Sequence, residues 1–239
     1  MVLHLAPGVL SFGVIALALV PSLATALGIP PQILPIVTYL ASIALVTVPV
    51  LLLFMAWRNQ RSTGRWGLRG VLGLRQRGRP RDYLLLLPLF GWMMLCFVVL
   101  AGWINEPIAS RWFSWFPQEL RFQQLLLEPA AIAALPGLKL IAPAYLVLSC
   151  LAGPVVEELY FRGYLLPRMR RFGRWAPVLN TVLFSAYHLF SPWENPVRII
   201  ATLPMVWVAW RRDDLLFSAI PHVAANTLGG LGVLWLAFG

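Results

Sequence analysis

Residues 138–166 read LKLIAPAYLVLSCLAGPVVEELYFRGYLL, an apolar run long enough to cross a bilayer and interrupted at depth by Glu157, Glu158 and Arg162. About 20 apolar residues suffice for a helix to span the hydrocarbon core. Ionisable side chains inside such a span are costly unless they face a partner or a water-filled cavity. The stretch therefore reads as a membrane helix whose charges serve a purpose. Two later apolar runs carry similar interruptions, Phe184 followed by His188 and His222 followed by Asn226.

The apolar character extends outward over all 239 residues, of which 59% are hydrophobic and only 12% charged. That is too apolar for a soluble domain. Spans can be placed near 8–28, 33–57, 83–104, 138–166, 176–192, 197–211 and 215–237, and no stretch remains for a soluble domain. The expected architecture is all-α: residues 1–239 form one integral-membrane bundle of about seven spans. Residues 1–8 lack the positive region of a secretory signal, so the first apolar run is read as a retained helix. Cys96 and Cys150 fall inside spans and read as small packing residues.

A net charge of +10 is compatible with nucleic-acid binding, but the arginines sit in short loops beside apolar spans. Arg58, Arg61, Arg65, Arg69, Arg75, Arg77, Arg79 and Arg81 crowd one loop. Arg168, Arg170, Arg171 and Arg174 crowd a second, and Arg211 and Arg212 a third. With seven spans all three loops share one face, which the positive-inside rule makes cytoplasmic. The N-terminus is then inside and the C-terminus outside. Compact length favours a bacterial inner membrane. Residues 105–137 form the longest outer loop, where Trp112, Phe113, Trp115 and Phe116 precede an amphipathic stretch expected to lie in the interface.

Depth decides whether the three polar patterns can meet. At 1.5 Å rise per residue, Glu157 lies roughly 16 Å from Arg168, His188 roughly 20 Å from Trp175 and His222 roughly 12 Å from Asp214. All three fall near mid-depth or on the cytoplasmic side of a core about 30 Å thick. Within each helix, Glu158 and Arg162, Phe184 and His188, and His222 and Asn226 are four apart and share a face. Glu157 is turned about 100° from Glu158. Glu158 is thus assigned to Arg162 as counter-ion, and Glu157 is turned towards the two histidines as the candidate base. His188, His222 and Asn226 offer groups that polarise water and stabilise an oxyanion. Gly153-Pro154 should loosen the helix just before this pair, because proline removes a backbone donor.

Glu157-Glu158-Leu159-Tyr160-Phe161-Arg162, Phe184-Ser185-Ala186-Tyr187-His188 and His222-Val223-Ala224-Ala225-Asn226 resemble, in order, the three motifs of the CPBP intramembrane proteases. That family includes type II CAAX prenyl endopeptidases and bacteriocin-processing enzymes. The resemblance covers residues 139–229, the expected catalytic core, and is silent on the first three helices. It implies an intramembrane endopeptidase acting on a membrane-tethered peptide or protein. Glu157 and His188 would activate water, His222 and Asn226 would stabilise the oxyanion, and Glu158, Arg162 and Phe184 would support them. A Glu with two His could also ligate zinc through Glu157, His188 and His222, as in a metalloprotease. The metal-independent form is favoured, because no HExxH signature is present and Asn226 suits hydrogen bonding.

Blander readings stand beside this one. Glu158 and Arg162 read first as a buried ion pair fastening the bundle, Phe184 as packing, and Ser185 and Tyr187 as helix-interface residues. Asn180 and Thr181, near the cytoplasmic end of their helix, receive no role. Two other classes of function compete: a non-catalytic membrane partner or immunity-type protein on the same fold, and a proton-coupled transporter. The transporter lacks the repeated halves that such proteins show. The substrate, its prenylation and the oligomeric state are not encoded in these motifs.

Overall fold

An apolar chain in lipid has no water to satisfy its peptide groups, so a leucine- and valine-rich run closes its hydrogen bonds internally as a helix. The computed structural model describes residues 2–17, 20–73, 79–117, 120–121 and 129–239, and the regular structure among them is entirely helical. Helix α1 is Val2–Ala16 and α2 is Pro21–Leu27. Helix α3 runs Leu34–Thr63, α4 Pro80–Trp112 and α6 Leu138–Arg168, with the short α5 at Pro129–Ala133. The chain closes with α7 Ala176–Tyr187, α8 Asn195–Arg212 and α9 Leu216–Phe238.

Helices α3, α4, α6 and α9 are each long and apolar enough to cross a membrane. This is an integral membrane protein. The other three expected spans take different forms. The 8–28 region is divided between α1 and α2. The expected 176–192 helix stops at Tyr187 after 12 residues, about 18 Å of rise against a core about 30 Å thick. Helix α8 is longer than expected but carries Arg198, Arg211 and Arg212. The anticipated 105–137 loop also begins late, since α4 continues to Trp112. Beyond it Phe116 and Leu120 are buried in the core, while Trp112 and Trp115 are exposed. Residues 118–119 and 122–128, most of the amphipathic stretch, lie outside the described residues.

The long helices are not uniform. Four stretches widen into π-type turns with N–H(i)→O(i−5) bonds: Ile43–Thr47, Cys96–Leu100, Tyr145–Ala152 and Leu159–Leu165. Three of the four are followed two residues later by a proline, at Pro49, Pro154 and Pro167. A proline has no N–H and its ring clashes with the carbonyl four residues back, and an extra residue in the preceding turn moves that carbonyl aside. The Gly153-Pro154 step therefore widens the helix instead of breaking it, and α6 runs on with the Gly153 N–H bonded to the Leu148 carbonyl. At Pro167 the displaced carbonyl belongs to Gly163, and it accepts a hydrogen bond from the Gly73 N–H at 2.8 Å.

That bond ties the first arginine loop to α6. Arg168 adds a second tie through its Nη1 to the Val71 carbonyl at 2.9 Å. Arg170 pairs with Asp213 at 2.6 Å and Arg212 with Asp82 at 3.4 Å. The three arginine-rich segments thus lie together at one end of the bundle, the arrangement expected from the loop charges; Arg75 and Arg77 are outside the described residues.

Packing concentrates in two cores. One gathers Leu51, Met55, Met93, Phe161, Tyr164, Phe184 and Met205; the other gathers Ile36, Leu40, Phe116, Ile141, Trp193 and Val233. Close approach of helices without a water-driven term relies on small residues. A Cβ at Gly230 of α9 would lie 2.7 Å from the Cys150 Sγ of α6, and one at Gly8 of α1 only 2.2 Å from the Tyr187 carbonyl oxygen. Gly8→Ala should therefore push α1 off the end of α7 and cost about 1–3 kcal/mol. Gly13→Ala, which meets nothing within 4 Å among the described residues, should leave the thermal midpoint in detergent unchanged or slightly raised by helix propensity, so the pair separates packing from propensity.

Candidate functional site

Glu157 and Glu158 occupy the short α-helical stretch of α6 between its two widened segments, Tyr145–Ala152 and Leu159–Leu165. Successive residues on a helix point about 100° apart, and the two carboxylates do reach different surroundings. Glu158 is 1% exposed and Arg162 3%. Their ion pair, Oε1 to Nη1, closes at 3.1 Å. The Arg162 N–H groups have no hydrogen-bond acceptor among the described residues. The cation rests instead on Glu158 and on the face of Phe184, 4.1 Å from the ring centroid.

Glu158 does more than the sequence assigned to it. Its Oε1 also accepts from the His222 Nδ1 at 2.8 Å, and its Oε2 accepts from the Ser218 hydroxyl at 2.7 Å. One carboxylate thus collects a guanidinium, an imidazole and a hydroxyl, which gives its charge partners in a setting where an unpaired charge would be prohibitive. The expectation that Glu158 serves Arg162 while Glu157 turns towards the two histidines is corrected on this point: His222 is held by Glu158. Because a carboxylate can only accept, His222 Nδ1 carries a proton and the ring presents Nε2 outward. Ser218 was overlooked, although it lies four residues before His222, as His222 lies four before Asn226, on one helical face.

His188 departs further from expectation. It does not share a helical face with Phe184, because α7 ends at Tyr187 and His188 has left the helical region at φ −84°, ψ 63°. Its Nδ1 donates to the Phe184 carbonyl at 2.9 Å, one of the acceptors that a helix C-terminus leaves free. The bond fixes the tautomer, so Nε2 is the acceptor nitrogen of the neutral ring. That nitrogen faces Glu157 Oε1 at 3.9 Å, too far for a direct hydrogen bond. The Phe184 ring packs against both imidazoles, with centroids 4.9 Å from His188 and 5.5 Å from His222.

Glu157, His188, His222 and Asn226 all line one cavity of about 70 Å³, enough for a few waters. Asn226 Nδ2 donates one hydrogen to the His222 carbonyl at 3.0 Å and keeps its second. Glu158 and Arg162 stand behind His222 and do not line the space. The far wall was not legible in the motifs: Gly8 and Ser11 come from α1, and Tyr39, Ser42 and Thr47 from α3. Its hydroxyls have partners in the protein: Ser11 bonds Thr47 at 2.9 Å, Tyr39 bonds Ser149 of α6 at 3.0 Å, and Ser42 donates to the Tyr39 carbonyl at 2.7 Å. Asn180, given no role by the sequence, is fully buried and donates to the Phe161 carbonyl at 2.8 Å, fastening α7 to α6.

Among the described residues no group of three or more His, Cys, Asp or Glu side chains is arranged to hold a metal ion. Glu157, His188 and His222 share the cavity, and the Nδ1 bonds of His222 to Glu158 and of His188 to Phe184 leave both Nε2 atoms directed to it.

Residues 139–228 match the family described as type II CAAX prenyl endopeptidase Rce1-like. The likeness is confined to this segment, less than half of the chain. Over 80 residues the chain is 30% identical to UPF0177 protein YxdF of Lactococcus lactis subsp. lactis (strain IL1403), covering 34% of this chain and 45% of that relative. The match thus spans less than half the length of the relative. No solved structure matches the chain. The matched segment contains α6 to α8 and most of α9, and hence Glu157, His188, His222 and Asn226; the α1 and α3 walls lie outside it.

Glu158→Gln tests the buried arrangement apart from any activity. It leaves Arg162 without its counter-charge, and removing one partner of a buried pair costs about 3–5 kcal/mol. A clear fall in the thermal midpoint in detergent is expected, and Glu157→Gln, which among the described residues breaks no direct hydrogen bond or ion pair shorter than 3.9 Å, should show a much smaller one.

Proposed function

We propose that this protein is an intramembrane endopeptidase that hydrolyses a peptide bond of a membrane-tethered substrate with water activated by Glu157 and His188. The observation that carries this reading is the pair of acceptors, Glu157 Oε1 and His188 Nε2, facing each other across 3.9 Å on a cavity with room for water. A water placed between them donates one hydrogen to each at ordinary O–H···O and O–H···N distances of about 2.8 Å, which leaves its lone pair directed into the cavity.

In the proposed step the water oxygen attacks the scissile carbonyl carbon as its proton passes to Glu157. The carbonyl oxygen becomes an oxyanion and accepts hydrogen bonds from the free Asn226 amide hydrogen and from His222 Nε2. To donate there, His222 carries protons on both nitrogens, with Nδ1 held by the Glu158 carboxylate that it shares with Arg162. Collapse of the intermediate breaks the C–N bond, and the proton on Glu157 passes to the leaving amine. No metal takes part in these steps, and Glu158, Arg162 and Phe184 act by holding His222 and the helix that carries Glu157.

Residues 139–229 are the catalytic core of this reading, completed by the α1 and α3 walls. The arginine-rich end faces the cytoplasm of a bacterial inner membrane. With α1–α2, α7 and α8 counted as short or tilted crossings beside the four long helices, seven spans put the N-terminus inside and the C-terminus outside. The substrate reaches the cavity from the bilayer, and whether it is prenylated is a property of that substrate.

Purified protein in lipid nanodiscs should cleave a membrane-tethered peptide. Glu157→Gln and His188→Ala should each lower kcat by about 10²–10⁴-fold, and Asn226→Ala by about 10²–10³-fold. Full activity in the Glu157 or His188 variant would exclude the mechanism and favour a non-catalytic partner on the same fold. Activity that survives a strong chelator such as phenanthroline is expected, and loss restored by added zinc would reinstate a metal.

A further inference from the structure

Arg198 lies inside α8 with 6% of its surface exposed, and the steps above do not use it. An arginine at such a place carries the same cost that marked Glu157 and Arg162. Its guanidinium points back towards the turn between α7 and α8, the turn that begins at His188. Nη2 donates to the Ser191 hydroxyl at 2.8 Å and to Glu194 Oε2 at 2.6 Å, and Nη1 donates to Asn195 Oδ1 at 2.8 Å. Asn195 Oδ1 also accepts from the Ser185 hydroxyl of α7 at 2.9 Å. The chain is therefore braced on both sides of His188, at Ser185 before it and at Ser191 and Glu194 after it. The Ser191 N–H reaches the His188 carbonyl itself at 3.2 Å.

His188 needs such bracing because it has left the helix. A side chain inside a helix inherits its direction from the i→i−4 ladder, whereas one on a connecting turn is aimed only by local contacts. The bond from His188 Nδ1 to the Phe184 carbonyl sets the tautomer but leaves the backbone of the turn free to carry the ring away. On the far side, Trp193 is buried against Phe116 and Phe113. Arg198 is the cation that closes the frame between these anchors, and it is also in electrostatic reach of Glu157 and His188.

We propose that Arg198 is a positioning residue: by bracing the α7–α8 turn at Ser191, Glu194 and Asn195 it holds the His188 ring in the single orientation that faces Glu157. The proposal rests on the reading of His188 as half of the water-activating pair, yet the ring orientation can be measured without any turnover. The chain has three histidines, so protein labelled with ¹⁵N-histidine in nanodiscs gives three ring spin systems, and the spectrum of His188→Ala assigns the one of interest.

Wild-type protein should show His188 as one tautomer protonated at Nδ1. Arg198→Leu should give a mixture of tautomers or a broadened signal, with kcat on a tethered peptide lowered about 100-fold and KM changed less than about threefold, the pattern of a misplaced reacting group. Arg198→Lys keeps the charge but not the planar fork and should recover about tenfold of the loss. A folded Arg198→Leu protein whose His188 signals match wild type overturns the proposal. Should that variant fail to fold, Ser191→Ala and Glu194→Gln each remove one brace, and unchanged His188 signals in both overturn it equally. Absence of peptidase activity in wild type together with a displaced His188 signal in Arg198→Leu would refute the catalytic reading and leave the positioning role standing.

Discussion

The Glu158 carboxylate is the contact on which the interior depends. It is almost wholly removed from solvent and stands among residues that provide little other polarity, so its lone pairs need partners. Arg162 of its own helix, His222 and Ser218 of α9 are those partners. The arrangement fastens α6 to α9 by a charge that neither helix could bury alone, and it orients His222 in doing so. Phe184 takes part by stacking on Arg162 and by separating the two imidazoles, which is why α7 must meet α6 and α9 at this level.

Around that contact the helices are shaped by where proline interrupts the backbone bonding. Widened turns before Pro49, Pro154 and Pro167 keep α3 and α6 continuous while displacing carbonyls from the regular ladder. One displaced carbonyl, at Gly163, anchors the first arginine loop. The Glu157-Glu158 pair sits between two of these turns, so the local rotation of α6 there is set by the chain on either side of it. Function-bearing segments of membrane helices often carry such irregularities because they redirect side chains without leaving peptide groups unsatisfied.

Much of the site was legible in the motifs, and the rest was not for identifiable reasons. Glu157, His188, His222 and Asn226 line one cavity, as depth arithmetic allowed. The same cost argument that singled out Glu157 applied equally to Arg198, and the four-residue period through His222 and Asn226 extended back to Ser218; both signals were present in the chain. The termination of α7 at Tyr187 was not, since nothing in Phe184-Ser185-Ala186-Tyr187-His188 breaks a helix by itself. It ends there because the chain must turn through Ser191 and Pro192 into α8, a turn that Arg198 and Trp193 hold in place. Equally, no short motif announces that Gly8 of α1 or Tyr39 and Thr47 of α3 close the cavity, because those contacts join residues more than a hundred positions apart.

The sequence by itself determined the membrane location, the helical class, the gathering of arginines at one end and the identity of the polar residues that could not be left unpartnered. These follow from composition, periodicity and the cost of charge in lipid, which are local properties of the chain. Only the tertiary structure decided the pairing: that His222 belongs to Glu158, that His188 faces Glu157 from outside a helix, and that α1 and α3 complete the cavity. Pairing depends on which groups from distant segments reach hydrogen-bond distance at the same depth, and that is fixed by how the helices cross, which no single segment encodes.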